Sequence, residues 1–288
     1  MSEESKIVQV LAPKTADIGG MLVRRLFPVV GRKHIGPWVF LDEMGPVRFE
    51  PGQGLNVKPH PHIGLATVTY LFAGEILHRD SLGTVQAIRP GDINLMVAGR
   101  GIVHSERERA EVTEQQHDLH GLQLWLALPE AEEACDPAFF HIAASDIPQF
   151  DVNGVKLRLI MGEAYGHRSP VPLYSETLYF EAFLAGGQRL ELPATQERGV
   201  YVCSGELHVE EQTVTAHNLV VLAEGTVCLQ AQADTHIVVL GGKYLGTRHM
   251  NWNFVSSSRE RISQAREDWK AGRFPAVPGD DEFIPLPE

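Results

Sequence analysis

Cysteine is scarce. The chain holds three in 288 residues, Cys135, Cys203 and Cys228, widely spaced and odd in number. That excludes a disulfide framework and a paired-cysteine zinc module, and a reducing, cytoplasmic compartment is expected. Long apolar runs are missing too: none approaches the roughly 20 residues of a membrane-crossing helix, so no membrane partner is expected. The opening Met1–Lys6 is polar and acidic, so no secretory signal is expected. Positive charge is in deficit, with 25 Lys plus Arg against 37 Asp plus Glu and a net charge of −12. A field of that sign repels phosphate backbones and excludes direct nucleic-acid binding unless a basic patch is segregated. Arg100, Arg107 and Arg109 come nearest to one, and Glu106, Glu108 and Glu111 dilute them.

Helical periodicity is also scarce through the first 250 residues. What is there instead is a succession of short β-rich runs. Met21–Phe27, Trp38–Met44, Ala66–Phe72, Thr84–Arg89, Ile93–Val97 and Leu119–Ala127 form a first set. A second set runs from Val155–Met161 to Ile237–Gly241. Gly, Pro, Asp and Asn separate the runs, the rhythm of an all-β sandwich or barrel. Between the sets, Pro129–Phe150 is acidic and proline-bearing and is expected to be a linker or irregular crossing segment.

The two sets echo each other. Tyr70-Leu-Phe-Ala-Gly74-Glu75 matches Tyr201-Val-Cys-Ser-Gly205-Glu206, and Pro90–Gly99 loosely matches Ala216–Gly225. A duplicated barrel is the economical reading. After it, Ser256–Ser258 offer capping hydroxyls and Gly272 a stop; Ile262, Ala265, Arg266 and Trp269 fall on one helical face. One amphipathic helix, Arg259 to Lys270, is predicted. The tail from Phe274, rich in proline and acids, is expected to run over the surface or pack on a neighbour.

Two i, i+2 pairs carry the chemistry. His60-Pro61-His62 and His104-Ser105-Glu106 would each turn both side chains to one face of a strand. Three imidazoles and a carboxylate suit Fe, Ni, Cu or Zn far better than Mg or Ca. A lone strand histidine is more often a hydrogen-bonded structural residue. Four convergent donors without a metal would be a costly buried polar cluster. In the second half His208 and His217 lack paired spacing and are expected to be structural, while Cys203 and Cys228 are expected to be small buried apolar residues. His117 and His120 are expected in a polar loop before the Leu119–Ala127 strand.

The His-x-His pair after Gly54, the turn Pro90-Gly91-Asp92, and Gly99-Arg100-Gly101 leading to His104 resemble the two-part signature of the cupin superfamily. The first-motif glutamate is replaced here by Ala66 and Thr67, and Glu106 stands ready to substitute for it. The segments His60–Tyr70, Gly99–Glu106, Phe40–Glu43 and Gly121–Trp125 are similar to those of the pirin family, over nearly the whole chain. The resemblance implies two tandem cupin (jelly-roll β-barrel) domains with a C-terminal α-helix. The expected division is a metal-binding N-terminal barrel over 1–135, a linker over 136–150, and a metal-free C-terminal barrel with helix and tail over 151–288. It implies metal ligation by His60, His62, His104 and Glu106, with Fe(II) the expected ion and Cu, Ni, Mn or Zn able to compete by intrinsic affinity. Asp42 and Glu43 become candidates to orient the ligands, or else turn and salt-bridge residues.

Several pirins are flavonol 2,3-dioxygenases. On that reading Glu106 takes the proton of the 3-hydroxyl of a flavonol such as quercetin, O2 adds across the central ring, and the ring opens with loss of carbon monoxide. Ile63, Leu95, Val97 and Val103 are candidates to wall a dry cavity. Other pirins are metal-dependent regulators in which the oxidation state of iron shifts affinity for a transcription factor or metabolic enzyme. The negative charge balance then points to a protein partner rather than DNA. A monomer is expected, since two barrels of one chain already cover each other.

Overall fold

The computed structural model describes residues 5–18 and 20–287, so the first four residues of the polar opening lie outside the described residues. Among the described residues strands dominate, and the one α-helix longer than a single turn is Arg259–Lys270. The predicted helix and the observed one coincide. Ser258 caps it by accepting a hydrogen bond from the Arg261 amide, and Ile262 and Ala265 are its buried residues. No helix is long and apolar enough to cross a membrane.

The strands form two tandem cupin domains, and their membership does not follow chain order. One compact unit comprises the chain up to Lys14, Leu26–Val39 and Ser145–Tyr244; the other comprises Thr15–Arg25, Phe40–Ala144 and the chain from Leu245. The C-terminal helix and tail therefore group with the barrel that carries the histidine pairs.

Each barrel pairs a seven-stranded sheet with a four-stranded one. In the His-bearing barrel the large sheet runs in the order Ala138–Ile142, Ile93–Val97, Leu65–Ala73, His117–Ala127, Trp38–Phe49, Met21–Phe27, Lys14–Ile18. The small sheet runs Asn56–His62, Ile102–Arg107, Ile76–Asp80, Val85–Ile88. In the other barrel the large sheet opens with Ile7–Leu11, Leu219–Leu222, Glu197–Ser204 and Thr235–Gly242, and the small sheet is Arg189–Glu191, Cys228–Ala231, Glu206–Val209, Gln212–Thr215. The sequence echo thus falls on equivalent strands. In both barrels a central strand ends in a glycine at positive φ, Gly74 or Gly205, and the chain turns into the small sheet.

The acidic stretch Pro129–Phe150 is not irregular throughout. It contains the strand Ala138–Ile142, which pairs residue by residue with Ile93–Val97. His117 and His120 likewise begin a strand, His117–Ala127, rather than occupying a loop. Residues opposite one another across a ladder face the same side. That register makes the second barrel's interior apolar: Leu190, Leu207, Val209, Leu229 and Ala231 belong to one buried cluster. Gln230 alternates with the inward pair and Cys228 is exposed, so the expectation of a buried Cys228 is corrected; Cys203 is buried as expected.

Candidate metal centre

The donors lie on two adjacent strands of the His-bearing barrel's small sheet. Asn56–His62 pairs antiparallel with Ile102–Arg107, setting His60 opposite His104 and His62 opposite Ile102. Alternation turns all three histidines to one face. The register then shifts, so that Glu106 sits opposite Val57. The extra residue lies on the histidine strand, at Lys58–Pro59, where a proline has no ladder N–H to lose. Gly64, just past the pair, turns the chain into Leu65–Ala73 at φ +67, and the Val255 carbonyl crowds the place its Cβ would take. The His-Pro-His-Ile-Gly run is thus a strand, its inward histidine pair and the turn that ends it.

The three imidazoles converge. His60, His62 and His104 are 7%, 1% and 0% exposed, and one donor atom from each lies within 4.8 Å of the others. Carbonyls fix two of the tautomers: His60 donates from Nδ1 to the Lys58 carbonyl at 2.8 Å, and His62 from Nδ1 to the Asn253 carbonyl at 3.2 Å. Their Nε2 atoms are left as bare lone pairs. His62 Nε2 stands 3.1 Å from His104 Nε2. Two nitrogens each about 2.1 Å from a shared ion, at right angles, would lie about 3 Å apart. The donor set therefore fits a transition metal.

Burial pushes the His60 imidazole down to about 4; the neighbouring His78 adds to this and the Lys58 carbonyl opposes it. His62 and His104 are held well below their ordinary value, chiefly by burial; the His60 charge adds to both, and the His62 and His78 charges add to His104. All three rings are neutral at pH 7, the form that ligates.

Glu106 is 9% exposed and points to the same interior. Its Oε1 meets Thr69 Oγ1 at 3.2 Å and Gln123 Nε2 at 3.4 Å, while Thr69 Oγ1 also meets Gln123 Oε1 at 2.8 Å. Burial raises its carboxyl above the ordinary glutamate value, against the pull of His78, Thr69 and Gln123. Among the described residues the tight donor cluster comprises the histidines, with Glu106 beside it.

Other expected neighbours are placed elsewhere. Asp42 makes a two-point ion pair with Arg25 at 2.9 and 2.7 Å, and Glu43 pairs with Arg24 at 3.2 Å and His120 at 3.0 Å. They take the salt-bridge role, and the Nδ1–H groups of His60 and His62 go to the Lys58 and Asn253 carbonyls instead. The four wall candidates are corrected by register. Ile63 and Val103 alternate with His62 and His104, and Ile63 packs on Phe254, Ile262 and Ala265. Leu95 and Val97 alternate with Asn94 and Met96, which oppose Thr69 and Thr67 on the inner face. The inner face instead offers Thr67, Met96 and Trp125. Trp125 meets the His62 ring edge-on at 5.1 Å and stacks on Phe40 at 4.1 Å.

Sequence reasoning missed His78, Asp80 and Asn253. His78 and Asp80 are an i, i+2 pair on Ile76–Asp80, visible to the same rule that picked out the two candidate pairs. Asn253 lies 191 residues from His62 and leaves no local signal.

The chain is also similar to known proteins. The pirin family model matches residues 20–126, and the model of the pirin C-terminal cupin domain matches residues 179–275. A pirin-like protein of Caulobacter vibrioides is 44% identical over 278 residues, 94% of this chain and 96% of its own length. Two crystal structures of quercetin 2,3-dioxygenases from Acinetobacter baumannii superpose closely. One has a TM-score of 0.90 at 33% identity, covering 98% of this chain and 95% of that one. The other has 0.88 at 29%, covering 94% and 99%. The three-histidine site and these relatives together indicate a metal binder. With both of its barrels matched and a relative spanning nearly its whole length, this chain belongs to the pirin family of cupin proteins.

Proposed function

We propose that the protein is a metal-dependent flavonol 2,3-dioxygenase acting on a quercetin-like phenol with O2. The observation that carries the reading is the juxtaposition of three neutral, buried imidazoles with one buried carboxylate whose affinity for a proton is raised. The similarity to quercetin 2,3-dioxygenases supports the substrate class.

In this reading His60, His62, His104 and Glu106 hold one transition-metal ion, Fe(II) by family resemblance. The bound ion would supply Lewis acidity toward the substrate oxygens and one-electron chemistry toward O2. The protein's own groups do the rest. Glu106 accepts the 3-hydroxyl proton on one carboxylate oxygen, a transfer its raised basicity favours. Thr69 and Gln123 hold that carboxylate in place. Trp125, stacked on Phe40, offers a flat apolar face beside His62 to orient an aromatic substrate. The flavonol and O2 are converted to a ring-opened ester and carbon monoxide.

The test is anaerobic loading with Fe(II), Cu(II), Ni(II) or Mn(II) in turn, followed by quercetin consumption and carbon monoxide release, with Glu106→Gln beside the natural chain. Metal-dependent release lost in the variant supports the reading. Full loading with no release for any ion overturns it and returns the metal to a regulatory role with a protein partner.

A further inference from the structure

One ligand histidine is supported differently from the others. His60 and His62 each give the outward Nδ1–H to a backbone carbonyl. His104 has no carbonyl there: its Nδ1 faces Nδ1 of His78 at 3.5 Å. His78 is in turn bound through Nε2 to Asp80 Oδ2 at 2.9 Å, and its ring stacks on Phe139 with centroids 4.4 Å apart. His78 is 4% and Asp80 0% exposed. Ladder register sets Asp80 opposite His104 and His78 opposite Glu106, so all four side chains share the inner face.

We infer that Asp80 and His78 form a positioning relay that presents Nε2 of His104 to the metal. A carboxylate only accepts, so Asp80 Oδ2 keeps the His78 proton on Nε2. His78 Nδ1 is then a lone pair aimed at His104, and it accepts the His104 Nδ1–H. The His104 lone pair is thereby confined to Nε2, the atom 3.1 Å from His62 Nε2. The other Asp80 oxygen, Oδ1, accepts from the Leu82 and Thr84 amides at 2.9 and 3.1 Å, which pins the carboxylate to the turn after its strand. Phe139 holds the plane of the His78 ring. His78 and Asp80 touch neither metal nor substrate in this scheme; they act through His104.

The inference rests on His104 being a metal ligand, and the experiment separates the two claims. Asp80→Asn is the informative change. Its amide oxygen stays with the two backbone N–H donors, so its NH2 faces His78 Nε2. That forces the His78 proton to Nδ1 and drives the His104 proton onto Nε2, the coordinating atom. His78→Leu removes the acceptor, whereas His78→Asn restores one near the Nδ1 position.

Two readouts are needed. Co(II) affinity is measured by competition with a chromophoric chelator, and the tautomers of His78 and His104 are read in the metal-free chain by 15N NMR. The natural chain is expected to show His104 protonated on Nδ1 and His78 on Nε2. Asp80→Asn and His78→Leu are expected to bind Co(II) about 10–100-fold more weakly, with His78→Asn within a few-fold of the natural chain. If the natural chain takes up no Co(II), the metal reading falls. If it loads and all three variants load equally well, or if His104 carries its proton on Nε2 in the natural chain, the relay is overturned. Should Asp80→Asn fail to fold, the contrast of His78→Leu with His78→Asn decides.

Discussion

A transition metal here would be held by side chains that are costly to bury without it. His62 and His104 bring their Nε2 atoms within 3.1 Å of each other in a site from which water is largely excluded. His62→Ala removes one donor and the edge-on partner of Trp125, so metal content after dialysis against a weak chelator should fall from near one per chain to near zero. Glu106→Gln keeps shape and removes the proton acceptor. Loss of one general base costs about 10²–10⁴-fold in turnover, and carbon monoxide release is expected to drop by that order while the histidines still retain metal. Trp125→Ala should raise KM for quercetin more than it lowers kcat, since the ring offers stacking area rather than chemistry. An unchanged KM would remove Trp125 from the substrate wall. The residue types were legible in the sequence because i, i+2 spacing on a strand is a local rule. The four wall candidates were mistaken because alternation only says that neighbours face opposite ways. The phase that sends Ile63, Leu95, Val97 and Val103 outward is set by the partner strands.

The element that matters most to the site without belonging to its sheet is the C-terminal segment. The strand Phe254–Ser256 and the helix behind it cover Ile63, and the Asn253 carbonyl just before that strand holds the His62 ring. The tail adds its own ties: the Ile284 amide donates to the Pro59 carbonyl at 2.8 Å, and Asp280 accepts twice from Arg107 at 2.9 and 2.8 Å. Both contacts land on the strands that carry the three clustered histidines. Phe254 is fully buried, and Phe254→Ala is expected to cost about 3–5 kcal/mol of stability. Because Asn253 moves with it, metal dissociation should also speed up. Ser258→Ala, which removes the helix cap and the hydrogen bond to Glu260 in the same first turn, should cost about 1 kcal/mol and leave metal dissociation unchanged. Urea midpoints and chelator-driven release rates for the two variants check this, and equal release rates would separate the segment from the site. The helix itself was readable from its cap, its apolar face and its terminal glycine. Its attachment to the His-bearing barrel was not, since that contact joins residues nearly 200 positions apart.

For the whole molecule, two related barrels have opposite interiors. One lines its small sheet with His60, His62, His104, Glu106, His78 and Asp80; the other fills equivalent strands with Leu190, Leu207, Val209, Leu229 and Ala231. Loading should saturate at one metal per chain, and His217→Ala or Cys228→Ala should leave that number unchanged. A second equivalent by elemental analysis would contradict an apolar second barrel.

The buried histidines also link the metal-free fold to pH. Burial in the fold pushes the His60 imidazole down to about 4, from about 6.5 once unfolded. Between those values the unfolded chain binds more protons, so stability falls as pH falls. From His60 alone the loss is roughly 3 kcal/mol by the lower end, with His62 and His104 adding in the same direction. The urea midpoint of the metal-free chain should drop between pH 7 and pH 4.5, and His60→Gln should flatten part of that slope. A midpoint equally steep in the variant would remove His60 as a source.

The sequence by itself determined the all-β class, the duplication, the closing helix and the identity of three converging histidines. Each is written in short-range terms: a period of two or 3.6 residues, a capping serine, a glycine at a turn. Only the tertiary structure decided which faces of those strands look inward, that His78 and Asp80 stand behind His104, and that Asn253 and the C-terminal segment brace the histidine-bearing strands. Those are contacts across ladders and between distant stretches of chain, fixed by strand register and burial rather than by neighbours in sequence.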